Sequence, residues 1–271
     1  MKWRSPSEEE SGFEPGSQRR EGPDGTRWYQ ALSNKFSGDS AGVSQQGTKA
    51  GTGLVNVQDA AARRAHNVTT MRIPLFPLNT VLFPGTALPL HIFEERYREM
   101  IGECILGKQP FGVVRSDGEE MAIIGCTARI VRVVERYRDG RMDILCEGER
   151  RFEIEALDES RTFLQADVEY FEDTGAGSTR VDREDCAAMH FATLHLAGIE
   201  TLTTHLDLNG PVAFQLADAL PSDLGFKQQL LASRSDADRT SRLRDFYNEM
   251  QPRLRARQNM SRAGQAGFPI H

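Results

Sequence analysis

From residue 71 onward the spacing of apolar positions changes along the chain, and each change marks a different kind of element. Ile73-Pro74-Leu75-Phe76 is a short apolar run that predicts a strand. Pro74, Pro77 and Pro84 set it at an edge or rim, because proline has no N–H to give to a ladder. Phe83-Pro84-Gly85-Thr86 predicts a type II turn, with proline at its second position and glycine at its third. Ala87 to Ile92 predicts a second strand interrupted by Pro89. The period then lengthens. Phe93, Tyr97, Met100, Ile101 and Cys104 recur at helical spacing among charged neighbours, and Gly107 is a natural place for that helix to end.

Period-two alternation returns beyond it. Phe111–Val114 is a short apolar strand. Thr127 to Glu135 alternates at first and slips near Val131-Arg132, as a bulge or a barrel bend requires. Arg138-Asp139-Gly140 is a hairpin signal. Met142, Ile144 and Cys146 share one face. Phe152, Ile154 and Ala156 alternate with charge, as do Leu164, Ala166, Val168 and Tyr170. Short strands around one helix predict a small, mostly antiparallel barrel. After Gly175-Ala176-Gly177-Ser178 only helical patterns remain. They cover Asp182 to His205, Pro211 to Leu220, a helix capped by Ser222 through Leu230-Leu231, and a last helix capped by Ser235. The last carries Leu243, Phe246, Tyr247, Met250 and Leu254 as one stripe, with Pro252 as a kink.

The first seventy residues have no such pattern. They hold 9 Gly and 8 Ser, with only 12 side chains from the large apolar set and Cys, too few to offset the entropy of ordering. The organisation expected is therefore α+β: a disordered extension over 1–70, a barrel over 71–172, a helical part over 173–258, and a frayed tail over 259–271. Met71 could itself be a start, so 1–70 also fits a mis-called upstream extension. Residues 71–271 carry 24 basic and 31 acidic groups, a balance of −7 that argues against bulk binding to nucleic acid or an anionic membrane. No window of about 18 apolar residues exists to make a membrane span. Neither a secretory leader nor a disulfide framework is expected, and Cys104, Cys126, Cys146 and Cys186 are expected as reduced thiols in a cytoplasmic protein.

The run from Ile73 to Tyr97, IPLFPLNTVLFPGTALPLHIFEERY, resembles the opening signature of the Lon protease amino-terminal domain. Gly125-Cys-Thr-Ala-Arg-Ile130 and Ile144-Leu-Cys-Glu-Gly-Glu-Arg150 are similar to that family's next strand motifs. Phe214 to Pro221 and Lys227 to Ala232 are similar to its helical part. The resemblance spans roughly Met71 to Arg257 and implies a PUA-like β-barrel followed by a helical bundle. It also implies a module that gathers polypeptide substrates. The ATPase and Ser-Lys peptidase of Lon are not expected here. ATP handling needs G-x-x-x-x-G-K-[ST], and Gly107-Lys108 is followed by Gln109. The chain is expected to be a stand-alone, non-enzymatic module without cofactor or metal, whose partners are unfolded polypeptides. The alternatives are an adaptor for one partner, such as a protease, or an RNA-binding PUA-like protein.

Other chemistry has weaker support. Cys186 and His190 lie i, i+4 with His195 beyond, short of the three or four tightly spaced ligands zinc takes. His91 has no nucleophile beside it in sequence. Glu94-Glu95 and Glu119-Glu120 are adjacent, which points helical side chains about 100° apart. Residues 234–262 hold 8 Arg against 4 acidic groups, but the arginines flank Leu243 and Leu254 as a solvated face would. The sharpest candidates for peptide binding are Phe76, Leu78, Phe83, Phe93, Tyr97 and Met100, some of which could sit at an open apolar rim where prolines break strand pairing.

Overall fold

A computed structural model of the chain describes residues 54–55, 70–118, 120–175, 177–199, 206–220 and 222–265. In chain order the strands are β1 (Leu54–Val55), β2 (Met71–Leu78), β3 (Ala87–Ile92), β4 (Phe111–Ser116), β5 (Met121–Arg136), β6 (Met142–Asp158) and β7 (Gln165–Tyr170). The helices are α1 (Glu95–Gly107), between β3 and β4, then α2 (Arg180–Leu196), α3 (Ala213–Asp218), α4 (Leu224–Ala232) and α5 (Asp236–Gln265). The expectations for residues 1–53, 56–69 and 200–205 lie outside the described residues, as do Glu119 and positions 266–271.

The sheet runs β1-β5-β4-β2-β7-β6-β3, and a further β5–β6 pairing closes β5, β4, β2, β7 and β6 into a barrel. β2 and β4 pair in parallel and the other pairings are antiparallel. A parallel neighbour needs a crossover, and α1 is part of it. Gly85 has φ 73°, and Thr86 N–H donates to Phe83 O at 3.2 Å, so the proline-glycine turn forms as expected. α1 starts at Glu95 rather than at Phe93. It ends at the expected Gly107, and Lys108 caps it in the left-handed region (φ 50°). The slip near Val131 is a register shift between Ile130 and Arg132, and another follows between Val133 and Glu135. The two runs at Met142 and Phe152 are one continuous strand of 17 residues.

Two glycines set how closely this barrel is wound. A Cβ on Gly125 would stand 2.5 Å from both the Phe152 ring and Val113 O, and a Cβ on Gly148 would stand 2.1 Å from Phe83 O. The first lets Phe152 fill the barrel with Ile73, Leu75, Val114, Met121, Ile154, Ala166 and Val168. The second lets the proline-glycine turn lie flat on β6.

Outside the barrel a larger core joins α1 to the helices. Phe83 stacks on Phe214 at 5.5 Å, and Leu230, Leu231, Leu243 and Tyr247 belong to the same cluster as Ile92, Met100 and Cys104. α2 begins at a capping box, in which Thr179 and Asp182 each bond the other's backbone. Asp223, not Ser222, caps α4. Ser235 Oγ accepts from Asp238 N–H at the start of α5, as the sequence suggests. α5 continues through Pro252 and past position 258 to Gln265.

The barrel and the helices meet at charge. Arg151 on β6 and Arg239 on α5 are 4% and 1% exposed. Both hold Asp173, just after β7, and both donate to Ser233 O; Arg151 also bonds Leu231 O. The two guanidinium groups lie 5.2 and 4.2 Å from the Phe214 ring centre. Burial alone would raise the Asp173 carboxyl, but hydrogen bonds from Arg239 and Arg151 outweigh it and hold its pKa below the ordinary value. Asp173→Ala leaves two buried cations short of their partner and should cost on the order of 3 kcal/mol in urea unfolding. The Asp173 contribution is present above the ordinary carboxylate pKa and lost as pH falls through the depressed one.

His190 gives a second pH dependence. Its Nδ1 lies 3.0 Å from Tyr247 Oη, and burial lowers its pKa to about 4. The ring is neutral in both states above the unfolded value of about 6.5. Between there and 4 only the unfolded chain takes the proton, so stability should fall by about 3 kcal/mol and then level off. His190→Gln should flatten that step in a pH series of urea midpoints. Burial also raises the four thiols, Cys104 to about 11 and Cys126, Cys146 and Cys186 to about 12. An aromatic disulfide reagent at pH 8 should therefore titrate none of them until denaturant is added.

Candidate functional site

The residues with the sharpest sequence signal separate in space. Phe76, Phe83, Tyr97 and Met100 are buried, Leu78 is half-buried, and Phe93 is 60% exposed. Phe76 packs on Tyr97 at 4.1 Å between ring centres, in the seam between β2 and α1. Hence the six do not line one open rim.

Two surface features remain. The first is a flap made by β3, the far half of β5 and the near half of β6. Among the described residues β3 pairs with β6 alone, so its other edge is free. Gly148 N–H donates to Thr86 O at 2.9 Å, and counting in twos from that bond leaves Pro89 facing the free edge. One face of the flap carries Leu88, Leu90, Ile130 and Val133, half-buried against the core. The extra residues of the two bulges are Val131 and Val134, 46% and 54% exposed. The alternation slip in the sequence marked the first of these positions but gave no sign that it would be left bare.

On the other face, His91 Nδ1 lies 2.5 Å from Asp143 Oδ1, and Tyr137 Oη donates to Asp143 Oδ2 at 2.7 Å. The bond to Asp143 is the main reason the Tyr137 hydroxyl is pushed up to about 12. Burial would raise the Asp143 carboxyl, and the bonds from His91 and Tyr137 bring it below the ordinary value. Phe93 stacks on the His91 ring at 6.0 Å, which fixes the exposed phenyl at the end of β3. Among the described residues no serine, threonine or cysteine is bonded to this His91–Asp143 pair, so its visible work is to hold the hairpin end against β3.

The second feature is a cleft of about 320 Å³ between the start of α1, the β4–β5 turn and the β6–β7 loop. Tyr97, Phe163, Pro77 and Met121 line it, and Arg96 and Arg161 stand at its mouth. Each guanidinium covers a ring, Arg96 over Tyr97 at 4.5 Å and Arg161 over Phe163 at 4.4 Å. Arg161 also grips Glu99 and Glu103. Of the six sequence candidates, Tyr97 alone reaches this cleft.

The remaining candidates are occupied by structure. His190 bonds Tyr247, and Cys186 turns toward Thr240 O. No three metal-binding side chains come together among the described residues. Glu94 stands at the N-cap of α1 and pairs with Arg96. The basic helix is largely neutralised: Arg242 pairs with Asp238, Arg244 with Asp182, and Arg253 with Glu249. That leaves little free charge for a phosphate backbone. No helix among the described residues is long and apolar enough to cross a membrane.

Comparison with known proteins agrees with this architecture. The Lon protease of Parabacteroides distasonis is 38% identical over 121 residues, which is 41% of this chain and 14% of that protein. The Lon protease of Roseiflexus castenholzii is 30% identical over 178 residues, 60% of this chain and 22% of that protein. The chain thus matches under a quarter of the length of these relatives. A Lon N-terminal domain protein from Xanthomonas campestris superposes with a TM-score of 0.51 at 25% identity, covering 64% of this chain and 96% of that one. Residues 72–249, which contain nearly all of the closed barrel, α1 to α4 and the first half of α5, match the family model of the ATP-dependent protease La (LON) substrate-binding domain, and the chain belongs to that family.

Proposed function

We propose that this chain is a non-catalytic substrate-binding module that engages extended, apolar segments of unfolded polypeptides through the flap of β3, β5 and β6. The observation that carries the reading is the placement of Phe93, Val131 and Val134. Three large apolar side chains stay in water on one small flap while the rest of the apolar signature is buried or half-buried. Exposed apolar groups beside a free strand edge suit an extended chain, which brings its own backbone hydrogen bonds and asks only for shallow apolar contact. The family supports the substrate-binding role. The absence of ATPase action is part of the proposal and rests on the missing phosphate-binding motif; the absence of protease action is proposed with it, because the family match is to the substrate-binding domain alone. Four unpaired, buried cysteines fit the cytoplasmic location expected from the sequence.

Affinity should be weak, because so small an apolar surface barely exceeds the entropic cost of association. Fluorescence anisotropy with a labelled, reduced and carboxymethylated protein checks this directly. The full chain should bind it. Phe93→Ser should weaken binding about five-fold, the effect of losing roughly 1 kcal/mol of aromatic contact. No binding across several unfolded proteins sinks the proposal. Co-purification of one stoichiometric partner instead of a diffuse set would favour the adaptor reading.

A further inference from the structure

β6 follows β5 from Arg136 to Ile124, which pairs with Glu153, and no β6 partner continues the ladder to Ala122 and Met121. On the opposite side β4 still pairs, Ser116 with Met121. The start of β5 is therefore a strand with one edge given up by its neighbour. Ala122 and Met121 are nevertheless buried, and a buried strand edge without partners is costly. The partner comes from the extension: Leu54 pairs with Ala122 and Val55 with Met121, antiparallel. In sequence, Leu54, Val55 and Val57 are the one group of large aliphatic residues between positions 44 and 70.

Two further observations mark this edge as an acceptor. Gln228 Nε2 on α4 donates to Ile124 O at 2.9 Å, so a side chain from the helical part already serves the neighbouring backbone. Met121 also lines the cleft with Tyr97 and Phe163, which places an apolar-floored recess beside the open ladder. A ladder gives sequence-tolerant affinity and an adjacent recess selects apolar side chains.

We propose that the β5 edge at Met121–Ala122 is a strand-acceptor site for an extended, β-branched or aliphatic peptide, and that the chain's own Leu54–Val55 segment occupies it as an intramolecular pseudo-substrate. It deepens the substrate-binding reading and rests on it only for the claim that clients compete for this edge. A tethered segment acts at an effective concentration of the order of millimolar, so a free peptide meets a site already filled.

The test uses the full chain and a labelled peptide of residues 51–58, GTGLVNVQ. Val55→Pro removes a ladder donor from the tethered copy and leaves the barrel's own residues untouched. In this variant the one amide of the Met121–Ala122 pair that faces β1 should exchange with deuterium at least about ten-fold faster than in the unaltered chain, as expected for a lost ladder partner. The labelled peptide should bind the variant about ten-fold more tightly than the unaltered chain, and an unlabelled copy should displace the carboxymethylated protein from the variant. Unchanged exchange, or equal peptide affinity in the two chains, overturns the proposal. Client binding that the peptide does not displace overturns the shared edge while leaving the flap reading intact. If no unfolded protein binds but the peptide does, the substrate-binding reading fails and the acceptor stands.

Discussion

Two guanidinium groups shut away from water hold the molecule in one piece. Arg151 belongs to the barrel and Arg239 to the last helix, yet both converge on Asp173 and on the Ser233 carbonyl, with Phe214 beneath them. Such a cluster yields little net stability over an apolar equivalent, because two cations had to be desolvated to form it. Its contribution is geometric. The bidentate arginine contacts accept one arrangement of β6, the segment after β7, the end of α4 and the start of α5. With that arrangement fixed, Phe83 meets Phe214, and the core runs without a break from the barrel wall into the helices. The barrel and the helical part that the sequence pattern separates thus share one interior.

That junction governs what is left for the surface. The proline-rich opening strand faces a filled barrel on one side and α1 on the other, so its large side chains are consumed by packing. Phe152 occupies the barrel because Gly125 leaves it room, and Phe76 and Tyr97 seal the seam beside it. A flap beyond the barrel mouth has no second layer to cover it fully. There the bulges at Val131 and Val134 break the ladder, turn two valines into water, and leave β3 as an edge. Pro89 on that edge is what permits it to stay open, since a proline-broken strand is a poor template for unrestrained pairing.

Much of this architecture was legible in the chain. The proline-glycine turn, the bulge near Val131, the aspartate-glycine hairpin and the capping serine of α5 are local devices, and local chemistry fixes them. The composition of the α1 face gave Tyr97 through Cys104 as well. What stayed hidden depends on long-range placement. Arg151 reads as one more charge in an alternating strand, because nothing nearby in sequence reveals the partners 22 and 82 positions away. The candidate site suffered most from this. Six apolar residues share one signature, but burial divides them according to neighbours from β4, β6 and α3, and periodicity carries no information about those neighbours. Phe93 shows the difficulty in miniature: it fits the helical stripe by spacing, yet the helix begins two residues later and the ring turns outward onto His91.

A binding module of this kind faces conflicting demands. Under the proposed role it must offer backbone partners and apolar contact without a shaped pocket, and these are the features that drive sheets to pair with one another. The structure divides the hazard. At β3 the exposed edge is interrupted by proline and braced by the His91–Asp143–Tyr137 bonds, which limits how much of it can be extended. At the start of β5 the edge carries no proline and its residues Met121 and Ala122 are buried, and there the chain supplies its own two-residue strand. A proline-interrupted edge can be left open, whereas a buried edge without proline has to be covered, and that difference accounts for the opposite treatment of the two ends of the sheet.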